Sequence, residues 1–399
     1  MEPLPHSQTL PGASVRIVTF STLYPNPAQP NHGVFVENRL RHLVAGGEAI
    51  CTVLAPVPWF PGRAPARGAV PAEEFRRGLR VLHPRFLALP KLGLLTNPAM
   101  LERAALPALR RLAPQFDLLD AHYLFPDGVA AVRLGRRLGK KVVITARGSD
   151  TSQLPHLPFA GAMIREALYE ADAIIAVSEG LKQGLLALGA PENKITVLRN
   201  GVDTAIFHPP ADRAALRAEL GLGAGKLLVS VGLLIPRKRH HLTIEALRDL
   251  PDHCLVILGE GPERAALEAL ATRLGVAGRV TLLGARPHTE LTRWYGAADV
   301  MVLASEREGW ANVLLESMAC GTPVVATPAW GVTEAISTPE AGRVVAEASA
   351  AAIAAGVREV ARLSRAATRT HAERFGWEGT TRGQISLFRR LLEESTCLS

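Results

Sequence analysis

Short apolar segments alternate with helix-like segments along almost the whole chain, and this alternation is the strongest constraint on its fold. The series opens with Val15–Phe20, a β-branched run typical of a buried strand. It continues with apolar residues at helical spacing in 33–44 and returns to a strand pattern at Ala49–Leu54. Strand, helix and strand in this order predict a parallel sheet. We expect right-handed crossovers and a ligand site at the carboxyl ends of the strands.

A turn-rich segment, 200–210, divides the alternation into two series. The further predicted strands are 118–121, 142–145 and 173–177 before it, and 227–231, 254–258, 280–283, 300–303 and 323–326 after it. A chain of 399 residues also exceeds the size of one ordinary hydrophobic core. We therefore predict an α/β protein with two Rossmann-like domains, each a doubly wound parallel sheet, over 1–203 and 204–375, facing each other across a cleft.

The positive charge is distributed unevenly along the chain. Residues 1–203 contain 23 Lys and Arg against 16 Asp and Glu, whereas residues 204–399 contain 22 against 21. Most of the excess lies in 59–111, where ten basic side chains accompany three acidic ones. The overlapping segment 56–98 is rich in Pro and Arg and is predicted as an insertion or long loop. This basic region indicates an anionic partner on one half, or a solvated loop without a partner.

Several classes of protein are disfavoured by the composition. No run reaches the ~18 uninterrupted apolar residues that span a bilayer. The first 14 residues lack a basic segment followed by an apolar one, so no signal peptide is predicted. The four cysteines form no C-x-x-C pair, which argues against a disulfide framework or a zinc site and favours the cytoplasm. No nucleic-acid recognition motif accompanies the basic segment.

Two glutamates, Glu308 and Glu316, have seven residues between them in the segment 305–325. Glu308 follows a predicted strand, and Glu316 falls about one turn inside a helix that we expect to begin near Ala311. The free amides of a helix's first turn can hold a phosphate, and a carboxylate can accept two hydrogen bonds from a sugar or ribose diol. Two isolated glutamates here could equally be solvated acids that the helix dipole favours.

A second segment, 229–246, places Arg237 and Lys238 at the start of a predicted helix. Cations are disfavoured at a helix N-terminus by the helix dipole, so this placement indicates an anionic ligand. A guanidinium can bind phosphate with two parallel hydrogen bonds, which suits Arg237 to that role.

These segments together resemble retaining glycosyltransferase family 4. Residues 308–325 are similar to the family's E-x7-E signature, and 229–246 resemble its V-G-R-L-x-x-x-K-G motif. The G-x-G-P turn and the P-N-G-V-D linker have counterparts at 258–262 and 199–203. Residues 374–377 and the helix after them resemble the family's segment that crosses from the second domain back onto the first. We therefore predict 376–399 as a C-terminal helix on the first domain. The resemblance extends from Val15 to about Leu392.

The resemblance implies the GT-B fold and a set of donor-binding residues. These are Gly33, Arg237, Lys238, Glu260, Glu308, Gly309, Asn312, Val313 and Glu316. Within this set, Glu316 would hold the ribose, Glu308 the transferred sugar and Lys238 the diphosphate. The family's usual arginine after the glycine of the second motif is Leu233 here, and Arg237 is the expected substitute.

In the first domain, Gly33 follows the first predicted strand, where a glycine permits close backbone approach to a phosphate. No G-x-G-x-x-G string follows that strand, which argues against a dinucleotide cofactor. His122 also follows a strand, and the family frequently carries an active-site histidine there, so we expect it to be catalytic with Glu308 and Lys238. Arg147 and Asp150 are weaker candidates for acceptor or sugar contacts.

The resemblance implies front-face transfer of a sugar, with retention, from a nucleotide-diphosphate donor. The acceptor would be a sugar, a glycolipid or a polyprenyl-linked molecule in polysaccharide or glycolipid assembly. No cofactor or metal is expected, since the donor is a substrate and no D-x-D triplet is present. A sugar-nucleotide 2-epimerase of the same fold and a non-catalytic nucleotide-sugar-binding protein are the alternatives. Aromatic residues within 59–111 suggest docking to an anionic membrane, which would make the protein peripheral on its inner face.

Overall fold

The computed structural model describes residues 14–60, 70–89, 92–223 and 225–396. The strands of the first half are β1 (Val15–Phe20), β2 (Ala49–Leu54), β3 (Val57–Trp59), β4 (Glu73–Arg76), β5 (Leu79–Leu82), β6 (Arg85–Leu87), β7 (Leu118–His122), β8 (Lys141–Ala146), β9 (Ala173–Ala176) and β10 (Ile195–Val197). Eight of them form one sheet in the order β10-β9-β8-β7-β1-β2-β5-β4, while β3 and β6 pair separately. Only the β4–β5 pair in the large sheet is antiparallel.

The second half contains a parallel sheet of six strands. They are β11 (Lys226–Val231), β12 (His253–Leu258), β13 (Val280–Gly284), β14 (Val300–Leu303), β15 (Val324–Ala326) and β16 (Gly342–Val344). Their order in the sheet is β13-β12-β11-β14-β15-β16. The central strands of both sheets are near-continuous apolar runs because helices cover both faces of a parallel sheet. The expected α/β class, with two sheets, is therefore confirmed.

The helices connect the strands and cover the sheets. They are α1 (Val34–Ala45), α2 (Gly93–Leu112), α3 (Val129–Leu138), α4 (Ser149–Ser152), α5 (Ala160–Glu170), α6 (Glu179–Ala187), α7 (Arg213–Glu219), α8 (His240–Ala246), α9 (Arg264–Arg273), α10 (Leu291–Ala297), α11 (Asn312–Ala319), α12 (Val332–Ala335), α13 (Ala350–Val360), α14 (Arg365–Glu373) and α15 (Trp377–Thr396). The last helix packs on α1, where its Phe388 is buried in the same core cluster as Leu40. Within the described ranges, no helix is long and apolar enough to cross a membrane.

Of the two alternatives predicted for 56–98, an insertion or a long loop, the long loop is wrong for the described residues. The described part of this segment contains β3 to β6 and the start of α2, while 61–69 and 90–91 lie outside the described residues. Leu79 and Val81 alternate with exposed or half-buried neighbours, so β5 buries one face and extends the sheet beside β2. The Pro and Arg content hid this period of two, since the strands are only three or four residues long.

Candidate active site

A cavity of about 200 Å³ lies between the two halves of the molecule. It is lined by Asn31, Gly33, Val34, Phe35, Asn38, Gly201, Val202, Asp203, Ile206, Phe207, His288, Leu291, Asn312, Val313, Glu316 and Trp377. Four predicted donor-binding residues are therefore brought together here, one just before α1 and three in the first turns of α11. The structure places Gly33, Asn312, Val313 and Glu316 around one space.

The N-termini of α1 and α11 both face this cavity, although they come from opposite halves. Gly33 precedes α1 with φ of 71°, and a Cβ built on it would lie 2.3 Å from the carbonyl oxygen of Leu23. Only glycine fits that position without displacing the backbone. No side chain of the described residues caps either helix. The first amides of each helix consequently remain suited to an anionic group.

Glu316 is the carboxylate of the cavity and is only 6% exposed. Its Oε1 lies 2.8 Å from Nε2 of His288, and its Oε2 accepts a hydrogen bond of 3.2 Å from the Tyr295 hydroxyl. Burial lowers the pKa of His288, but the charge of Glu316 and the hydrogen bond to it outweigh burial, so the pKa is raised overall. The carboxylate is therefore held in one orientation by two donors.

Lys238 and Glu308 form an ion pair at 2.5 Å between Nζ and Oε1. Both side chains are mostly buried, at 13% and 12% exposure. Lys238 ends a helical turn, Pro236–Lys238, that follows β11, and Glu308 lies in the loop after β14. These neighbouring strands bring the two loops together at the carboxyl edge of the sheet. Arg237 contacts the same loop, with Nη1 3.5 Å from the carbonyl oxygen of Arg307.

The loops that follow β8 and β14 meet through their backbones. A Cβ built on Gly309 would lie 1.9 Å from the carbonyl oxygen of Arg147. A Cβ on Gly148, whose φ is 140°, would lie 3.0 Å from the amide nitrogen of Gly309. The two halves therefore approach each other here at a distance that no side chain permits.

His122 is fully buried in the first half. Its Nε2 lies 3.1 Å from Asp120 Oδ2, and the Arg147 guanidinium contacts its Nδ1. Since arginine can only donate, Nδ1 accepts and Nε2–H donates to Asp120. Burial lowers the pKa of His122 to about 4. This differs from the expectation of a histidine pointing into the cleft, because Asp120 and Arg147 occupy both ring nitrogens.

Asp150 is also enclosed within the first half. Its carboxylate accepts hydrogen bonds from the backbone N–H groups of Leu124 at 2.9 Å, Arg147 at 3.0 Å and Gly148 at 2.6 Å. Burial raises the pKa of Asp150, and these hydrogen bonds oppose that effect. In this arrangement the Asp150 carboxylate shapes the loop after β8, and the expected acceptor or sugar contact stays a prediction.

Asn200, in the linker between the halves, joins side chains from both. Its Oδ1 accepts hydrogen bonds of 3.1 Å from both Arg39 and Arg147. Its Nδ2 donates to Oδ1 of Asn312 at 3.3 Å. A single linker amide therefore connects α1, the loop after β8 and the first residue of α11.

Six positions from the sequence motifs lie outside the cavity lining, namely Arg237, Lys238, Glu308, Gly309, Glu260 and Leu233. The side chain of Glu260 is exposed, and its carbonyl oxygen accepts from the Leu234 amide at 2.9 Å. Leu233, which stands where the family has an arginine, is 57% exposed. No group of three His, Cys, Asp or Glu side chains in the described part of the chain is arranged to hold a metal ion.

A separate contact joins the halves at the start of α6. Cβ atoms built on Gly180 and Gly184 would lie 3.1 Å and 2.8 Å from Trp330, which packs on them. Glu334 Oε1 accepts from the first two backbone N–H groups of α6, at 2.8 Å and 3.3 Å. The linker residue Arg199 pairs with the other oxygen of Glu334.

His288, Tyr295 and Asn200 were not among the site residues predicted from the sequence. The spacing of His288, Leu291 and Tyr295 is i, i+3 and i+7, which places two polar side chains on one helical face with an apolar one. That pattern indicates polar side chains on the buried face of a helix, where they can bind a buried carboxylate such as that of Glu316. Asn200 carried no such signal, because an asparagine before glycine is typical of an ordinary turn.

Two parallel α/β sheets that face each other across a cleft define the GT-B class of fold. Sucrose-phosphate synthase from Thermosynechococcus elongatus superposes with a TM-score of 0.78 at 20% identity, over 95% of this chain and 100% of that chain. Anabaena HepE in complex with UDP and glucose gives 0.74 at 19% identity, over 94% and 100%. At these identities the likeness concerns the fold.

Sequence comparison gives the family. The model for Glycosyltransferase Family 4 matches residues 33–206, and the model for Glycosyl transferases group 1 matches residues 212–376. The chain belongs to the group 1 and family 4 glycosyltransferases. The D-inositol 3-phosphate glycosyltransferase of Mycobacterium tuberculosis is 33% identical over 257 residues, which are 60% of this chain and 53% of that protein. The chain thus spans about half the length of the curated relatives it matches.

Proposed function

We propose that this protein transfers a sugar from a nucleotide-diphosphate donor to an acceptor hydroxyl, with retention of the anomeric configuration. One observation carries the proposal: the N-termini of α1 and α11 face a cavity that also contains the Glu316 carboxylate. Helix N-termini attract phosphate, and a carboxylate accepts hydrogen bonds from a diol. A nucleoside diphosphate offers both groups within one molecule.

The donor residues have distinct roles in this proposal. Glu316 binds the ribose, and Glu308 binds the transferred sugar. Lys238, Arg237 and the first amides of α11 stabilise the negative charge that develops on the departing diphosphate. The bond from the anomeric carbon to the diphosphate oxygen breaks as the acceptor oxygen bonds to the same face. The acceptor proton passes to the diphosphate, which accounts for every atom without a covalent enzyme intermediate.

The first half supports this site from the acceptor side. We assign positioning roles to His122 and Asp150, since both act through the loop that carries Arg147 and Gly148. Asp150 fixes that loop by accepting its backbone N–H groups, and His122 contacts the Arg147 guanidinium. The division into 1–203, 204–375 and 376–399 belongs to the proposal, with the donor bound mainly by the second part.

We also propose that the first half docks on an anionic membrane, which would supply a lipid-linked acceptor. Five exposed apolar side chains support this: Trp59, Phe60, Leu92, Leu94 and Leu95. They belong to one region, since β3 pairs with β6 and β6 packs on α2. The exposed face of α2 continues with basic residues that are common where proteins meet anionic lipids, namely Arg103, Arg110 and Arg111.

The experiment that tests the transferase proposal is a donor-consumption assay with and without acceptor. Sugars linked to UDP are offered first, since HepE was solved with UDP, and sugars linked to GDP and ADP follow. Acceptor-dependent release of the nucleoside diphosphate, with retention measured by NMR of the product, supports the proposal. Conversion of the donor to an epimer without acceptor would identify an epimerase, and binding without turnover would identify a non-catalytic protein.

A further inference from the structure

His288 has a position that the roles above do not use. It opens a helical turn, His288–Glu290, that leads into α10, and its ring lines the cavity. The ring is held from two sides, by Nε2 at 2.8 Å from Glu316 Oε1 and by an edge-on contact with Phe207 at 5.1 Å between centroids. The histidine therefore touches the carboxylate that would bind the ribose while it also faces the ligand space.

Charged groups reach His288 from several elements. Glu316 on α11 and Glu37 on α1 favour the protonated ring, whereas burial and Arg77 of the β4–β5 turn oppose it. Tyr295 on α10 stays neutral, because burial raises its pKa well above the usual value. Asp203 of the linker lines the same cavity and pairs with His42 at 3.5 Å. The balance of these groups raises the pKa of His288 above its usual value.

We propose that His288 is a positioning residue for the nucleotide donor. It fixes the Glu316 carboxylate for the ribose diol and, when protonated, offsets the negative charge that this carboxylate brings close to the diphosphate. The inference rests on the donor site proposed above. A carboxylate beside a diphosphate repels it, so a neighbouring imidazolium makes donor binding more favourable.

The proposal predicts that donor binding takes up a proton. The diphosphate adds negative charge beside His288, which favours the protonated ring and raises its pKa further. Affinity for the donor is then highest when His288 is already protonated and falls as pH rises through its pKa. A rise of about one unit in that pKa on binding corresponds to roughly tenfold weaker affinity on the alkaline side.

The test is calorimetric titration of the full-length protein with UDP-glucose, GDP-mannose and ADP-glucose, whose diphosphates do not titrate near neutral pH. The donor that binds is then compared at about pH 6 and about pH 8.5, in buffers of different ionisation enthalpy. For the wild type we expect roughly tenfold weaker binding at the higher pH, with proton uptake largest at intermediate pH, between the pKa values of the free and donor-bound states. His288→Gln keeps an N–H donor for Glu316 but carries no charge, so its affinity should not change with pH.

A matched control is His83→Gln. His83 also pairs with a glutamate, Glu74, at 3.0 Å, but it lies outside the cavity lining. This variant should keep the pH dependence and proton uptake of the wild type. Binding that depends on pH equally in wild type and His288→Gln would overturn the role of His288 while leaving the donor site standing. Failure of the wild type to bind any of the three donors would overturn both proposals.

Discussion

Lys238 and Glu308, the side chains that we assign to the donor diphosphate and the transferred sugar, are paired with each other at 2.5 Å. They come from loops after neighbouring strands, so the pair ties the carboxyl edge of the second sheet together. A diphosphate that binds Lys238 therefore competes with Glu308 for the ammonium. Occupation of the donor site would release the carboxylate toward the sugar.

Replacement of either member of this pair should abolish most of the transfer activity. We expect Lys238→Ala and Glu308→Gln each to lower kcat/KM by at least ~100-fold, the scale for losing one contact that stabilises the transition state. The amide oxygen of Glu308→Gln still accepts from Lys238, so this variant should melt close to the wild type. Initial rates and thermal melting curves are the measurements.

Lys182→Ala is the matched control for the lysine variant, because Lys182 also pairs with a glutamate, Glu192, at 3.0 Å on the surface of α6. It should retain wild-type turnover. Near-normal rates for well-folded Lys238→Ala or Glu308→Gln would remove the basis of the site assignment.

Gly309→Ala should separate the two halves at the backbone contact between the loops after β8 and β14. Its Cβ would lie 1.9 Å from the carbonyl oxygen of Arg147, so the loops after β8 and β14 have to move apart. A displacement of about 1 Å at a reacting centre can cost on the order of 100-fold in rate, and we expect a loss of that size in kcat. Steady-state kinetics and melting temperature are measured together.

Gly278→Ala serves as its control, since a Cβ there meets no atom within 4 Å. The control should keep both rate and stability. Full activity of Gly309→Ala would show that the contact between these loops is not required during transfer.

Transfer activity should not require a divalent metal. No D-x-D triplet occurs in the sequence, so the proposal assigns the diphosphate charge to Lys238, Arg237 and helix amides. We expect unchanged initial rates after dialysis against EDTA. Activity that disappears on chelation and returns with added manganese or magnesium would refute this.

Membrane docking should depend on both lipid charge and the apolar region near the start of α2. We expect co-sedimentation with anionic liposomes that weakens as salt rises, because screening shortens the reach of the basic side chains. Leu95→Glu should weaken binding, since it puts a carboxylate on that region. The basic residues Arg63, Arg67 and Lys91 contribute to the charge but lie outside the described residues.

Tyr169→Ala is the control for docking, because Tyr169 is 68% exposed but lies on α5, outside residues 59–111. It should bind like the wild type. Equal lack of binding to anionic and neutral liposomes at low salt would indicate a soluble acceptor instead.

The sequence predicted the strands that carry long apolar runs, such as β1 and β2, whose bounds match. It missed β4 and β5, where four-residue strands alternate with arginines and the segment looks like a loop. The cavity residue Glu316 was predicted because the E-x7-E motif fixed its place on a helix, and Gly33 because a glycine follows the first strand. The partners of His122 and Glu316 were not, since such contacts depend on how separate elements pack and leave no local period in the sequence.

Substitutions at the contact of Trp330 with Gly180 and Gly184 would change the distance between the two halves. The indole rests on two positions without side chains, and a Cβ added at Gly184 would lie 2.8 Å from Trp330 of the second half and 3.0 Å from Thr151 of the first. A series from alanine through serine to valine would widen the gap in steps while every cavity residue stays native. Turnover measured across that series would show how closely the halves must approach for catalysis.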